Sequence, residues 1–229
     1  MSIRTVTIGL ALLAPLACGD DDADATTEAA TTNADASAPS TSVDASTTGD
    51  PSTESSGESD TGDDDVWSLP YCASVSDDKP VNGWLPVWQA DEEAMLELVN
   101  EVRATPTTCG ANGTLPAAPP LTMADALRCA ARRHSVDMST RDYFDHISPE
   151  GEGPGDRVAK TGYSFAVVGE NIAGGLTLDN PEAALAGLLG SDDHCAILMG
   201  AEFTEFGAGH FEGDGSFTHY WTQSFARPN

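Results

Sequence analysis

Between Gly19 and Asp65 the sequence holds fourteen acidic side chains, no basic one, and Val43 as its only large apolar residue. Such a stretch cannot bury enough apolar surface to offset the entropy of ordering it, so it is expected to be a disordered tether. With Gly/Ser-like statistics its 47 residues reach about 40 Å, and like-charge repulsion extends them further. What folds must therefore lie in residues 66–229. These 164 residues suffice for one domain with a full core and are too few for two ordinary ones. Of 37 acidic residues, 14 lie in the tether, which leaves the domain 23 against nine basic ones. A surface of that sign repels phosphate, so nucleic acid is excluded as the natural partner.

The first eighteen residues have the layout of an export signal. Arg4 supplies the positive start, and Val6 to Leu16 is apolar except for Thr7 and Gly9. That core is too short to span a bilayer, and no run of eighteen apolar residues occurs anywhere in the chain. Leu16-Ala17-Cys18-Gly19 resembles a bacterial lipobox, although Pro15 stands where that pattern prefers Leu. The expectation is a lipoprotein-type signal over 1–18, acylation of Cys18, and a membrane anchor in the cell envelope. The alternative is ordinary cleavage near Ala17 and secretion.

Aromatic residues return abruptly at Trp67, Tyr71, Trp84 and Trp88, so residues 66–90 read as an N-terminal arm and 91–229 as the domain. Asp91 is placed to cap a helix with Glu92 and Glu93 in its first turn, followed by Met95, Leu98, Val99 and Val102 on one face. Thr122 with Asp125 resembles a capping box for a second helix running to about Thr140. One or two helical turns are expected over Asp156–Thr161, and a strand over Tyr163–Val168 leading into Gly169-Glu170-Asn171, where Asn171 would steady a turn. Asn180-Pro181 opens another helix that Gly190 ends, and Asp192 or Asp193 caps a short one over His194–Met199. Phe203–Phe211 and Phe217–Phe225 read as a hairpin around Glu212-Gly213-Asp214-Gly215. Helices first and mostly antiparallel strands last favour an α+β fold.

With Cys18 acylated, Cys72, Cys109, Cys129 and Cys195 remain, an even number in an exported domain. Two disulfides are expected, in any of three connectivities. Cys109 and Cys129 bracket the Pro-rich connector between the first two helices. Pairing them would leave Cys72 to tie the arm to Cys195, and the other pairings stay open.

Several stretches in order resemble the bacterial branch of the CAP family (cysteine-rich secretory, antigen 5, pathogenesis-related 1; also called SCP-like extracellular domains). They are His134-Ser135-Val136-Asp137-Met138, Tyr143-Phe144-Asp145-His146, Gly169-Glu170-Asn171-Ile172-Ala173, His194 with Phe203-Thr204-Glu205-Phe206-Gly207, and Tyr220-Trp221-Thr222-Gln223-Ser224-Phe225. Each alone is weak, but all in order and spacing identify the family over Asp91–Ala226. The resemblance implies a three-layer α-β-α sandwich with a central antiparallel sheet. It also implies an open cleft lined by His146, Glu170, His194 and Glu205. The sequence departs from the family at Asp193, where Gly is usual before the second His, and at Leu188, where Trp is common.

Two imidazoles and two carboxylates suit a divalent metal such as Zn²⁺, with His146 and His194 as ligands and Glu170 and Glu205 as additional ones. The same four suit acid–base chemistry, which makes a hydrolase or protease the first rival reading. A structural surface module or a lipid binder is the other. The favoured reading is a non-catalytic, monomeric, extracytoplasmic binding domain whose His/Glu cleft is expected to hold a divalent metal, with a lipid or cell-surface molecule as the candidate partner. His134 reads as a packed core residue, His210 and His219 as exposed strand residues, and Arg132-Arg133 as a solvated helix face. Ser135 and Ser148 lie near the motifs, but no nucleophile elbow surrounds either.

Overall fold

The computed structural model describes residues 65–77 and 84–229. The expected signal segment, Cys18 and nearly all of the tether lie outside the described residues. No helix among the described residues is long and apolar enough to cross a membrane.

Helix α1 (Pro86–Arg103) begins five residues before Asp91, because Pro86 takes the first helical position, where its fixed φ and missing N–H cost nothing. Asp91 and Glu92 are therefore interior residues rather than cap and first turn. Met95 and Val99 are buried as the periodicity requires. Arg103 at its end is also buried, and its guanidinium donates to Pro119 O, Leu198 O and Gly200 O at 2.7–2.9 Å, fastening the Pro-rich connector and the segment Leu198–Gly200 to one helix. A two-stranded ribbon of β1 (Thr107–Thr108) and β2 (Thr114–Leu115) follows. Thr122 joins the short strand β3 (Thr122–Met123) instead of capping, so α2 (Asp125–Arg141) starts after Ala124 without a side-chain cap.

Helix α3 spans Pro154–Ala159, and Asp156 Oδ2 accepts from Gly153 N at its start. Strand β4 (Phe165–Gly174) is longer than expected: Gly169-Glu170-Asn171 continues the strand instead of turning. Helix α4 (Pro181–Leu189) is capped by Asn180, whose side chain accepts from Ala183 N at 2.9 Å, as its sequence signals. Helix α5 (Asp192–Leu198) and the hairpin of β5 (Glu205–Glu212) and β6 (His219–Pro228) complete the domain.

The main sheet has the order β3-β5-β6-β4. It is antiparallel except that β3 runs parallel to β5. Helices α2 and α3 cover one face, and α1, α4 and α5 the other, giving the three-layer α-β-α sandwich. Alternation along β5 sends Phe206 and Ala208 into the α1/α4 side and Gly207 and Gly209 toward α2. The helix lies so close that a Cβ on Gly207 would stand 2.2 Å from Arg128 N, and one on Gly209 2.4 Å from Arg132 N.

The disulfides are Cys72–Cys129 and Cys109–Cys195, not the bracketing pair 109–129. Cys129 turns outward from α2 toward the arm, where it joins Val66, Cys72, Val75 and Trp84 in one cluster. Cys109 instead faces α5, and the turn Gly110–Asn112 is held there because Ala111 N donates to Asp192 Oδ2.

Arg132 corrects the expectation of a solvated face. It is fully buried, donates to Glu92, Val75 O and Asp77, and lies between Trp67 and Trp84 at 5.0 and 4.8 Å. Trp67 and Trp84 belong to the arm, so the arm supplies both the lid over this arginine and part of its counter-charge.

Candidate functional site

On the α2 face, strand alternation turns Glu170 inward from β4. His134 approaches it from α2, Arg157 from α3, and His146 from the loop between those helices. His146 Nδ1–H donates to Glu170 Oε1 at 2.9 Å. Arg157 Nη2 donates to both Glu170 oxygens at 2.9 Å and to the backbone carbonyl of His146 at 2.8 Å. One guanidinium thus fixes the carboxylate and the loop carrying the imidazole. His134 Nε2 lies 3.7 Å from the same Oε1, beyond hydrogen-bonding reach.

Burial alone would raise the Glu170 pKa. The Arg157 charge, with His134 and His146 beside it, overcomes this and holds the carboxyl down to about 2. Burial drives His134 the other way, down to about 4, with Glu170 opposing. His134 is thus neutral at pH 7, and Arg157 is the counter-charge that keeps Glu170 ionised. Tyr143 gives its phenolic proton to Asp137 at 2.6 Å, and its oxygen lies 3.5 Å from His134 Nδ1. His134 is accordingly the packed core histidine its helical position signals.

Only half of the expected quartet is assembled in this cluster. Glu205 stands two strands across and two residues along the sheet from Glu170, about 10 Å by about 7 Å on strand spacings. There its Oε2 accepts from Tyr163 OH at 2.5 Å. His194 lies on α5, buried, and its carbonyl accepts from Asn171 Nδ2 at 3.1 Å on the face opposite Glu170. Asn171 also donates to Gln223 Oε1, so it bridges α5 to the sheet and stabilises no turn.

Among the described residues no three His, Cys, Asp or Glu side chains converge on a metal-sized position. Glu170 is a poor metal ligand on its own chemistry, because both its oxygens are occupied by a guanidinium and a divalent ion would meet that positive charge. The His146 ring fits a ligating role better. Its Nδ1–H is committed to a carboxylate, which leaves the Nε2 lone pair pointing away, as ligating imidazoles are commonly held.

Neither serine near the motifs is bonded to His146 in the described residues. Ser135 Oγ donates to Gly209 O and is 2.9 Å from Thr222 Oγ1, and Ser148 Oγ donates to Glu150. Arg157 is the functional residue missed by sequence reading. Its signal was that a buried carboxylate needs a cation, in a domain with only nine bases to supply one.

His210 and His219 are also corrected: both are buried on the α1/α4 face. The side chains of Trp221 and Gln223 share that face, and the ring of His210 stacks on Trp221.

Residues 96–225 match the family described as CAP, the cysteine-rich secretory protein family. Two relatives are from Bacillus subtilis. YkwD, described as an uncharacterized protein, is 37% identical over 106 residues, which are 46% of this chain and 39% of YkwD. YlbC, described as an uncharacterized membrane protein, is 29% identical over 154 residues, 67% of this chain and 38% of YlbC. The chain therefore spans about two fifths of the length of these curated relatives. Among solved structures, an extracellular protein containing an SCP domain from Bacillus anthracis str. Ames gives a TM-score of 0.51 at 29% identity. That match covers 62% of this chain and 41% of the other. An outer surface protein from Borrelia burgdorferi also gives 0.51, at 17% identity, over 62% of this chain and 95% of the other, a likeness of fold.

Proposed function

We propose, from the premise that this chain belongs to the cysteine-rich secretory protein (CAP) family, that it is an extracytoplasmic binding domain whose contact group is the His146 imidazole. The observation that carries the reading is the Arg157–Glu170–His146 arrangement. It holds the His146 imidazole in one orientation through Nδ1, and it keeps Glu170 ionised near neutral pH. A carboxyl held down to about 2 does not donate protons at pH 7, and its lone pairs are committed to Arg157 and His146. Glu170 therefore orients and His146 touches the ligand. This favours binding over turnover.

Location outside the cytoplasm is supported by the export-type start, by the two disulfides, and by the extracellular SCP protein that the chain resembles. Acylation of Cys18 would make it a tethered surface domain, with the acidic segment as the stalk. Globomycin treatment of expressing cells tests this: accumulation of the uncleaved form supports the anchor, and unimpeded processing removes it.

A second reading is favoured by the free Nε2 of His146. It is a divalent metal held at the His146 imidazole, without Glu170 or Glu205 as ligands; His194, whose backbone is bonded on the opposite face of the sheet, is not brought to it. Isothermal titration of the metal-free mature chain with Zn²⁺, beside a His146→Ala/His194→Ala variant, tests it. A saturable site absent from the variant supports the metal, and equal traces remove it. The binding reading is tested in parallel by screening peptide and ester substrates. Turnover that disappears in a folded His146→Ala variant would replace binding with hydrolysis.

A further inference from the structure

Strand β4 ends the main sheet, with β6 on one side and no strand among the described residues on the other. Its register with β6 is unbroken from Val167 to Gly174. Two hydrogen bonds fix which backbone groups face which way. Gly175 N donates to His219 O at 3.1 Å, and Gly213 N donates to Thr218 O at 2.9 Å. Along β6, odd-numbered residues therefore turn N–H and C=O toward β4, and even-numbered ones turn them toward β5. Gly169, Asn171 and Ala173 lie opposite Phe225, Gln223 and Trp221, so they carry the β4–β6 ladder. Val168, Glu170 and Ile172 lie opposite Ala226, Ser224 and Thr222, and they aim N–H and C=O away from the sheet. No described residue is bonded to these outward groups.

The edge is covered at one end and open at the other. Phe144 and Phe217 lie against Gly174, and Ile172 is only 1% exposed. Toward the start of the strand the cover thins. Ala166 is exposed, and Phe165, Val167 and Gly169 are half-buried. Glu170 keeps 5% of its surface while its side chain alone keeps 2%, so what it shows to solvent is weighted toward main chain. Helix α3 lies over this stretch, where Gly155 faces Phe165 and Val168. Helix α5 lies under it, where Gly169 faces Ile197 and Phe203. The open edge is thus a slot between two helices. His146 stands at its Glu170 end, bonded to that carboxylate and partly exposed.

The geometry points to an extended polypeptide segment as the occupant of this slot, added to the sheet by pairing with Val168 and Glu170. The pairing rests on the edge alone; that its occupant is what His146 touches rests on the binding reading above. Outward N–H and C=O groups repeating along a strand are matched by another extended main chain, whereas an acyl chain offers them neither donor nor acceptor. The segment's residue opposite Glu170 leaves the sheet on the same face as Glu170, so its side chain is the one that meets the imidazole. The bulge between Phe165 and Val167 interrupts regular pairing on one side, and the cover over Ile172 stops it on the other. The occupant is therefore short, about five residues. So short and bulged an edge is a poor template for sheet-to-sheet aggregation. A second copy of the chain is disfavoured as partner, because each carries a net charge of −27. The same charge, with Asp145 exposed beside His146, selects uncharged or basic segments.

Amide hydrogen exchange on the mature wild-type chain tests the edge without any variant. The N–H groups of Val168 and Glu170 should exchange at least about tenfold faster than those of Gly169 and Asn171. Equal protection would mean a closed edge and overturn the assignment. The probe for pairing is a synthetic library of acetylated, amidated heptapeptides built from Thr, Val, Tyr, Ser and Lys. A selected peptide should slow exchange at Val168 and Glu170 at least about tenfold. N-methylation of its residues facing β4 should weaken binding about tenfold, and N-methylation of the alternate residues should change it by less than about threefold. No binder, or equal losses from both methylation patterns, refutes the added strand. His146→Ala keeps the two readings apart. It should weaken the peptide while leaving the exchange pattern of the edge unchanged. Undiminished binding would remove His146 as the contact group and leave the pairing in place, whereas a closed edge in wild type would remove the pairing and leave His146 untouched.

Discussion

Glu170 with His146 on one face of the sheet and Asp91 with His210 on the other are the same pair of groups, a carboxylate accepting from an imidazole at 2.9 and 2.8 Å. What separates them is the third partner. Glu170 is wholly enclosed and has Arg157 against both oxygens, so it stays charged. Asp91 is partly open and has no arginine, and its pKa is raised by burial and by Glu182. The first carboxylate depends on a buried counter-charge, whereas the second relies on solvent and on a neutral relay. Distance alone would have called them equivalent.

The difference is broken most severely by removing the counter-charge. Arg157→Leu leaves Glu170 ionised and buried without a cation, or forces it to take up a proton. Stripping one partner from a buried pair costs about 3–5 kcal/mol. Urea denaturation of the variant should show a loss of that size. Combining Arg157→Leu with Glu170→Leu should recover much of it, because the stranded charge is then gone. A loss below about 1 kcal/mol for Arg157→Leu would mean that water reaches Glu170 and that the locked-carboxylate reading is wrong.

Acid separates the two faces next. His134 and His210 both sit near 4 in the folded chain against about 6.5 unfolded, so the unfolded chain binds more protons between those values. Stability is therefore full above pH 6.5 and is lost as pH falls toward 4, by up to about 3 kcal/mol for each histidine. Glu170, held down to about 2, contributes stability that is present above its unfolded value near 4.5 and is lost only as pH falls from there toward 2. Denaturation midpoints measured from about pH 8 to pH 4 should decline with a slope of about two protons near pH 5. His210→Gln should remove about one proton from that slope, and His134→Gln another. A flat profile above about pH 5 would show that neither imidazole is buried neutral.

The two faces were also unequally legible from sequence. Motif order places His146 and Glu170 because each sits in a short run with its own spacing, and helical periodicity puts His134 in the core. The partners of those residues carry no such local signal. Arg157 lies eleven residues from His146 and thirteen from Glu170, across a turn rich in Gly and Pro, and only tertiary packing brings it back. Arg132 reads as one of two adjacent surface arginines until the arm is folded over it.

Period-two alternation shows that His210 and His219 occupy strands, but it does not show which face is covered. That is settled by α1, which begins five residues earlier than its most obvious cap and so brings Asp91 over His210. Glu205 was placed in the cleft by its motif alone, and the β5–β6 register carries it to Tyr163 instead. The disulfides follow the same rule, since spacing cannot say that Cys129 faces the arm and Cys109 faces α5.

The smallest expected effect makes the sharpest comparison, because it uses an isosteric change at each carboxylate. Asp91→Asn keeps an oxygen to accept from His210 Nδ1–H and removes a charge that no cation balances, so stability should change by less than about 1 kcal/mol. Glu170→Gln also keeps an acceptor for His146, but it leaves the Arg157 guanidinium buried without its anion, and the penalty should be several-fold larger. The contrast should narrow at high ionic strength, because salt screens the repulsion from Glu182 and Asp179 that Asp91→Asn relieves and leaves the buried Arg157 penalty nearly unchanged. Paired denaturation curves at low and high salt measure all four quantities. Equal penalties for the two amide substitutions would show that Arg157 is not what distinguishes the faces, and that burial by itself is enough to set the cost.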